Sequence, residues 1–210
     1  MKDIDETFFA GETMLRLDLG HFSAADAAVR TAEKLRMSGV VAVVPTETVY
    51  GLVSRVGGAG SDRIYALKHR SGGKRLGWFV GDWLALEAHG VKLTSTVRKL
   101  AERFMPGAIT VIAPTVDGDS IGFRVPDHPF LSALLKELGE PLLQTSANLS
   151  GAPDSLTLDA ALASLDGEVD VAVDGGALPP GSLASTVVDA RTDPPRILRQ
   201  GALRLDLRDL

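Results

Sequence analysis

Residues 40–53 read VVAVVPTETVYGLV. The stretch from Val40 to Pro45 is β-branched and apolar, the composition of a buried strand. It breaks directly into Thr46, Glu47, Thr48 and Tyr50. Polar groups left inside a fold without partners are costly, so hydroxyls and a carboxylate at the end of a core strand need an explanation.

Working outward, strand-like and helix-like segments alternate. Residues 23–38 place Ala25, Ala28, Ala32 and Leu35 on one helical face, with Ser23 as N-cap and Gly39 as stop. After the strand at 40–45, helices are predicted over 61–68 and 95–104. Strands follow at 108–114 and 121–125. Asp127 is expected to cap a helix carrying Phe130, Leu131, Leu134, Leu135 and Leu138, which Gly139 ends. The chain continues with a strand at 141–144, a helix at 157–165 and strands at 170–173, 185–189 and 196–199. Strands separated by amphipathic helices predict an α/β sheet with helices packed on it. The last strands lack intervening helices, which predicts a mixed sheet. No repeat, low-complexity segment or linker divides the chain, and GALPPGS at 176–182 reads as a surface turn.

Composition narrows the function. The 210 residues suit one domain, able to bury roughly 70% of its unfolded surface. There are no cysteines, which excludes disulfides, thiolate metal sites and a cysteine nucleophile. The start, MKDIDETFFAGETM, lacks a signal-peptide layout, and no apolar run approaches a membrane span, so the expectation is cytoplasmic with no membrane partner. A net charge of −5 directs any nucleic-acid contact to a local patch.

Ligands of open α/β sheets bind beyond the carboxyl ends of strands. Polar residues crowd four candidate strand ends: PTETVYG (45–51), FRVPDHP (123–129), TSANLSG (145–151) and STVVD (185–189). Singly, each has an ordinary reading as turn or cap; their recurrence points to one site. LKHRSGGKRLGW (67–78) brings Lys68, Arg70, Lys74 and Arg75 around two glycines. That composition suits a polyphosphate, though a solvated loop would read the same way. It is no Walker A loop, and no G-x-G-x-x-G follows a strand. Arg124 ends an apolar strand, where it needs a carboxylate or phosphate partner, either a ligand or an internal acid. Arg199 raises the same question with less force. The four histidines show no metal spacing, and no G-x-S-x-G elbow occurs.

VVPTETVYGL, ALKHR, FMPGAITVIA, FRVPDHP, TSANLSG, STVVD and RILRQG together resemble, in order and spacing, the YrdC/YciO-type family of threonylcarbamoyl-adenylate synthases. The resemblance spans residues 15–205. It implies an N-terminal extension over 1–14, a YrdC-like domain over 15–205 and a tail over 206–210. The implied fold is a twisted, mixed open sheet with flanking helices and a large concave cavity. The implied reaction joins L-threonine, bicarbonate and ATP into threonylcarbamoyl-AMP and pyrophosphate, for threonylcarbamoyladenosine in transfer RNA. Phosphoryl chemistry of this kind requires positioning and charge stabilisation, with no protein nucleophile.

By resemblance, Lys68, Arg70, Ser146 and Asn148 form the catalytic, nucleotide-binding group. Lys74, Thr110 and Arg199 are further ATP contacts. Thr48, Tyr50, Arg124, Ser146 and Ser185 shape the threonine pocket, so PTETVYG becomes a pocket lip. Magnesium is expected to enter with ATP. Transfer RNA or double-stranded RNA and downstream threonylcarbamoyl transferase proteins are the implied partners. The chain departs from the family pattern after K-x-R: Ser71 and Arg75 replace prolines, and Phe79 stands at the usual histidine of the threonine pocket. An alternative therefore stays open: a YciO-like paralogue that binds nucleotide or RNA without making the adenylate.

Overall fold

The computed structural model describes residues 14–206. Apart from Met14 and Asp206, the expected extension and tail lie outside the described residues. In chain order the elements are β1 (Leu15–Asp18), α1 (Ala24–Leu35), β2 (Ala42–Val44), β3 (Gly51–Arg55), α2 (Gly60–Leu67) and β4 (Gly77–Phe79). A short 3-10 helix (Leu84–His89) leads to α3 (Ser95–Phe104), β5 (Ile109–Pro114), β6 (Ser120–Arg124), α4 (Pro129–Leu138) and β7 (Leu142–Ser146). Then come α5 (Leu158–Ala163), β8 (Val171–Asp174), β9 (Thr186–Asp189) and β10 (Arg196–Arg199).

The strands form one sheet in the order β1-β8-β2-β3-β7-β4-β6-β5-β9-β10. Parallel pairs (β1/β8, β2/β8, β4/β6, β5/β9) are interspersed with antiparallel ones (β2/β3, β3/β7, β4/β7, β5/β6, β9/β10), giving the expected mixed sheet. The strand read at 40–45 is β2, and its polar sequel is the short connection into β3.

Local chemistry sets the helix ends. Ser23 Oγ accepts from the Asp26 amide 3.1 Å away, the N-cap read from sequence. The buried face of α1 is Ala27, Ala28, Thr31, Ala32 and Leu35; Ala25, assigned to it above, is exposed. The start of α4 also differs from expectation. Its N-cap residue is His128, without a side-chain cap bond, and Pro129 supplies the first turn. The Asp127 amide instead donates to Glu47 Oε1 at 2.9 Å. Pro129 needs no amide partner at this position, so the helix can begin without an aspartate cap.

Two helices, α1 and α4, cover one face of the sheet, packing Ala28, Leu35, Phe130, Leu131 and Leu134 on Val44, Val53, Phe79 and Leu142. On the opposite face α2 and α5 bury Val41, Val43, Leu52 and Ala172. Farther along, α3 and the 3-10 helix bury Val111, Phe123 and Val188. Successive strand residues point to opposite faces. Gln144, Gly77, Arg124, Thr110, Ile112 and Val187 therefore share a face with the α1/α4 core, but beyond where those helices reach. That uncovered part of the face is the floor of a cavity.

Candidate functional site

The cavity measures about 470 Å³. Of the residues assigned above, Thr48, Tyr50, Arg70, Thr110, Arg124, Ser146, Ser185 and Arg199 line it. Segments distant in sequence meet there because strand pairing aligns them: Phe79 pairs with Arg124, Gly51 with Ser146, and Thr110 with Val187. Ser185 precedes β9, so it comes from the amino end of that strand; the expectation of four carboxyl ends is corrected there. The parallel β5/β9 pairing places Ser185 beside Thr110, and their hydroxyls are 2.8 Å apart.

Lys68, Asn148 and Lys74 do not line the cavity. Lys68 is 1% exposed, and its ammonium donates to the carbonyls of Ser146 and Asn148 and to Asn148 Oδ1. Ser146 Oγ in turn donates to Asn148 Oδ1 at 2.6 Å, and Asn148 Nδ2 donates to the Ala152 carbonyl at 2.6 Å. Lys68 and Asn148 thus stand behind the wall and fix the segment that presents Ser146. Burial is the main reason the Lys68 ammonium titrates at about 8, with the charge of Arg70 acting in the same direction. Lys74 contributes its carbonyl, which accepts from Arg70 Nε at 2.8 Å. Its neighbour Arg75 lines the cavity and pairs with Asp119.

At one end Arg124 is 4% exposed. Its Nε donates to the Gly107 carbonyl at 3.0 Å, and its Nη1 to Thr48 Oγ1 at 3.1 Å. Its Nη2 lies 2.6 Å from Glu47 Oε1, off the hydrogen-bonding direction. The guanidinium carbon sits 5.8 Å from the centre of the Phe79 ring, which lines the cavity while remaining 1% exposed. Glu47 Oε2 and His128 Nδ1 are buried without a hydrogen-bond partner. Burial also keeps His128 below its ordinary pKa, against the opposing charges of Glu47 and Asp127.

Thr46 Oγ1 donates its proton to the Val49 carbonyl at 2.7 Å and accepts from the Thr48 and Val49 amides at 2.9 and 3.2 Å. The Thr48 hydroxyl lies 2.9 Å from Thr46 Oγ1 and accepts from Arg124. This end of the cavity offers guanidinium donors beside a threonine hydroxyl. A carboxylate and an N–H or O–H group on one small molecule match that pattern. Tyr50 shapes the wall: its hydroxyl donates to the Gly176 carbonyl at 2.8 Å and accepts from the Gly175 amide at 3.0 Å. Burial pushes it up to about 12, which keeps it protonated.

Four arginines, Arg70, Arg75, Arg191 and Arg199, line the rest. Arg199 donates from Nε and Nη2 to the Ser185 carbonyl, at 3.1 and 2.8 Å. Arg191, Gln144 and the paired glycines Gly77 and Gly122 were absent from the sequence reading. Arg191 follows Asp189 by two residues at a strand end, a local acid–base pair that sequence displays without saying which way it faces. Concentrated guanidinium groups favour phosphate oxygens.

Residues 34–201 match the Sua5/YciO/YrdC family model, described as "Telomere recombination". A threonylcarbamoyl-AMP synthase of Bacillus subtilis is 34% identical over 193 residues, covering 86% of this chain and 55% of that protein. One from Mus musculus is 33% identical over 177 residues, covering 77% and 62% respectively. The chain thus spans little more than half the length of these relatives. Among solved structures, P. abyssi Sua5 complexed with L-threonine superposes with a TM-score of 0.79 at 26% identity, covering 91% of this chain and 58% of that one. E. coli YciO gives a TM-score of 0.80 at 24% identity, covering 94% and 99%, a likeness of fold.

Proposed function

Because the chain belongs to the Sua5/YciO/YrdC family, we propose that it is an L-threonylcarbamoyladenylate synthase, a nucleotidyl-transferring enzyme serving threonylcarbamoyladenosine formation in tRNA. The observation that carries this reading is one cavity joining an amino-acid-shaped end, Thr48 with Arg124, to an arginine-rich remainder. The threonine carboxylate lies on Arg124. Its amine combines with bicarbonate, with loss of water, to give the carbamate. A carbamate oxygen then attacks the α-phosphorus of ATP as the bond to the bridging oxygen breaks, and pyrophosphate leaves. Arg70 and Arg199 spread the phosphate charge, and Thr110, Ser146 and Ser185 orient the reactants. Lys68 and Asn148 act by holding Ser146 in place.

Magnesium enters on the nucleotide, held by phosphate oxygens and water. Among the described residues no three histidine or acidic side chains are grouped to hold a metal ion. A cytoplasmic setting, contact with transfer RNA or double-stranded RNA, and a downstream transferase belong to the same proposal. No helix among the described residues is long and apolar enough to cross a membrane.

Phe79 favours a second reading, a nucleotide- or RNA-binding paralogue without synthesis, because its ring occupies the amino-acid end and cannot form a hydrogen bond. Pyrophosphate release from ATP, with threonine and bicarbonate omitted in turn, separates the two. The synthase requires both; release indifferent to threonine removes the first reading.

A further inference from the structure

The middle of the cavity floor is built on two glycines, with the Gln144 amide lying over Gly77. Strand register places Gln144, Gly77, Gly122, Ile112 and Asp189 in one row across five strands. Two adjacent glycines leave a flat patch within that row. A Cβ at Gly77 would come within 2.6 Å of Gln144 Nε2 and 3.2 Å of the Gly122 carbonyl, and one at Gly122 within 3.4 Å of Thr110 Cγ2.

Arg191 borders the cavity just beyond this row. Its Nε and Nη2 are both taken by Asp189, at 2.8 Å to Oδ1 and 2.6 Å to Oδ2. The Arg191 amide adds a third bond to Oδ1 at 3.1 Å, so the side chain is fixed to its own strand end. Bidentate pairing also holds the Asp189 carboxyl below the usual carboxylate range. The fork that would grip a phosphate is therefore occupied and its charge is balanced. What Arg191 still offers is a planar surface and the free Nη1. A paired guanidinium of this kind stacks well on heteroaromatic rings.

We propose that Arg191, locked by Asp189, is a further nucleotide-contacting residue that stacks on the planar base lying over the Gly77–Gly122 patch. The role rests on the nucleotide reading above and adds to it a division of labour. Arg70 and Arg199 meet phosphates, whereas Arg191 meets the base.

Calorimetric titrations of the full chain with ATP, AMP and pyrophosphate, in the presence of magnesium, test it. Arg191→Ala and Arg191→Lys are compared with wild type; lysine keeps the charge and loses the plane. The expected result is that both variants bind ATP and AMP about tenfold more weakly, a stacking-sized loss, with pyrophosphate affinity unchanged. Unchanged ATP and AMP affinity in both variants overturns the role while leaving the nucleotide reading intact. Weakened pyrophosphate binding, or a lysine variant equal to wild type, also overturns it, because either makes Arg191 a phosphate contact. A wild-type chain that takes up no ATP overturns the nucleotide reading itself, and this role with it.

Discussion

The carboxylate of Glu47 lies 2.6 Å from the Arg124 guanidinium, so the buried cation facing the amino-acid end of the cavity is already paired on one side. Neutralising one member of a buried ion pair leaves the other uncompensated, at a cost of about 3–5 kcal/mol. Glu47→Gln should therefore lower the melting temperature by roughly 6–20 °C for a chain of this size. Threonine should restore more of this loss than it adds to wild type, since its carboxylate supplies the missing charge. Differential scanning fluorimetry with and without threonine reads both effects, and equal shifts in the two proteins would refute the compensation.

Arg124 and Arg199 should divide the two substrates between them. Arg124→Ala is expected to abolish the threonine dependence of pyrophosphate release while ATP affinity stays within about twofold. Arg199→Ala should weaken ATP by about tenfold or more, the loss of a charge-assisted contact. Joint loss of both substrates in Arg124→Ala, with the fold intact by circular dichroism, would move Arg124 out of the amino-acid site.

Lys68 titrates at about 8, below its ordinary 10.5, because it is buried. As pH rises through 8 the folded chain loses the cation that holds Ser146 and Asn148, so activity should fall on an alkaline limb centred there. The stability term has the opposite sign. Between about 8 and 10.5 the unfolded chain retains a proton that the folded chain has released, so this group's contribution to stability increases. Lys68→Met should remove the limb from the residual activity. A limb that persists in that variant would belong to another group.

Phe79 should limit the discrimination between threonine and its isostere valine, because an aromatic hydrocarbon ring cannot recognise a hydroxyl. Phe79→His is expected to raise the threonine-to-valine ratio of kcat/KM by about tenfold, near the scale of one hydrogen bond. Phe79→Leu, which keeps the site apolar, should leave the ratio where it is. If histidine and leucine behave alike, the residue only fills space.

The sequence made most of this site readable where polar residues interrupt apolar strands. Thr48, Arg124 and Ser146 each sit next to a run that has to be buried, and the strand pairing brings them together. The three-residue β4 was lost inside a glycine-rich basic stretch, because three residues cannot display a period. Helix or strand patterns also say nothing about direction into a cavity, so Lys68 and Asn148 looked identical to wall residues although they stand behind the wall. Ser185 was read as the leading residue of its strand, and its place beside Thr110 depends on β9 running parallel to β5, a pairing that only the assembled sheet reveals. The glycine patch at Gly77 and Gly122 depends on register between β4 and β6, strands far apart in the chain, which local composition does not encode.

Arg199 belongs to β10, an edge strand that among the described residues pairs with β9 alone, yet it grips the Ser185 carbonyl inside the cavity. That edge of the sheet is thereby tethered to the cavity wall. Occupancy should slow deuterium uptake at the amides of Ile197 and Arg199, although no substrate atom needs to touch them, making that margin an internal reporter of a filled cavity.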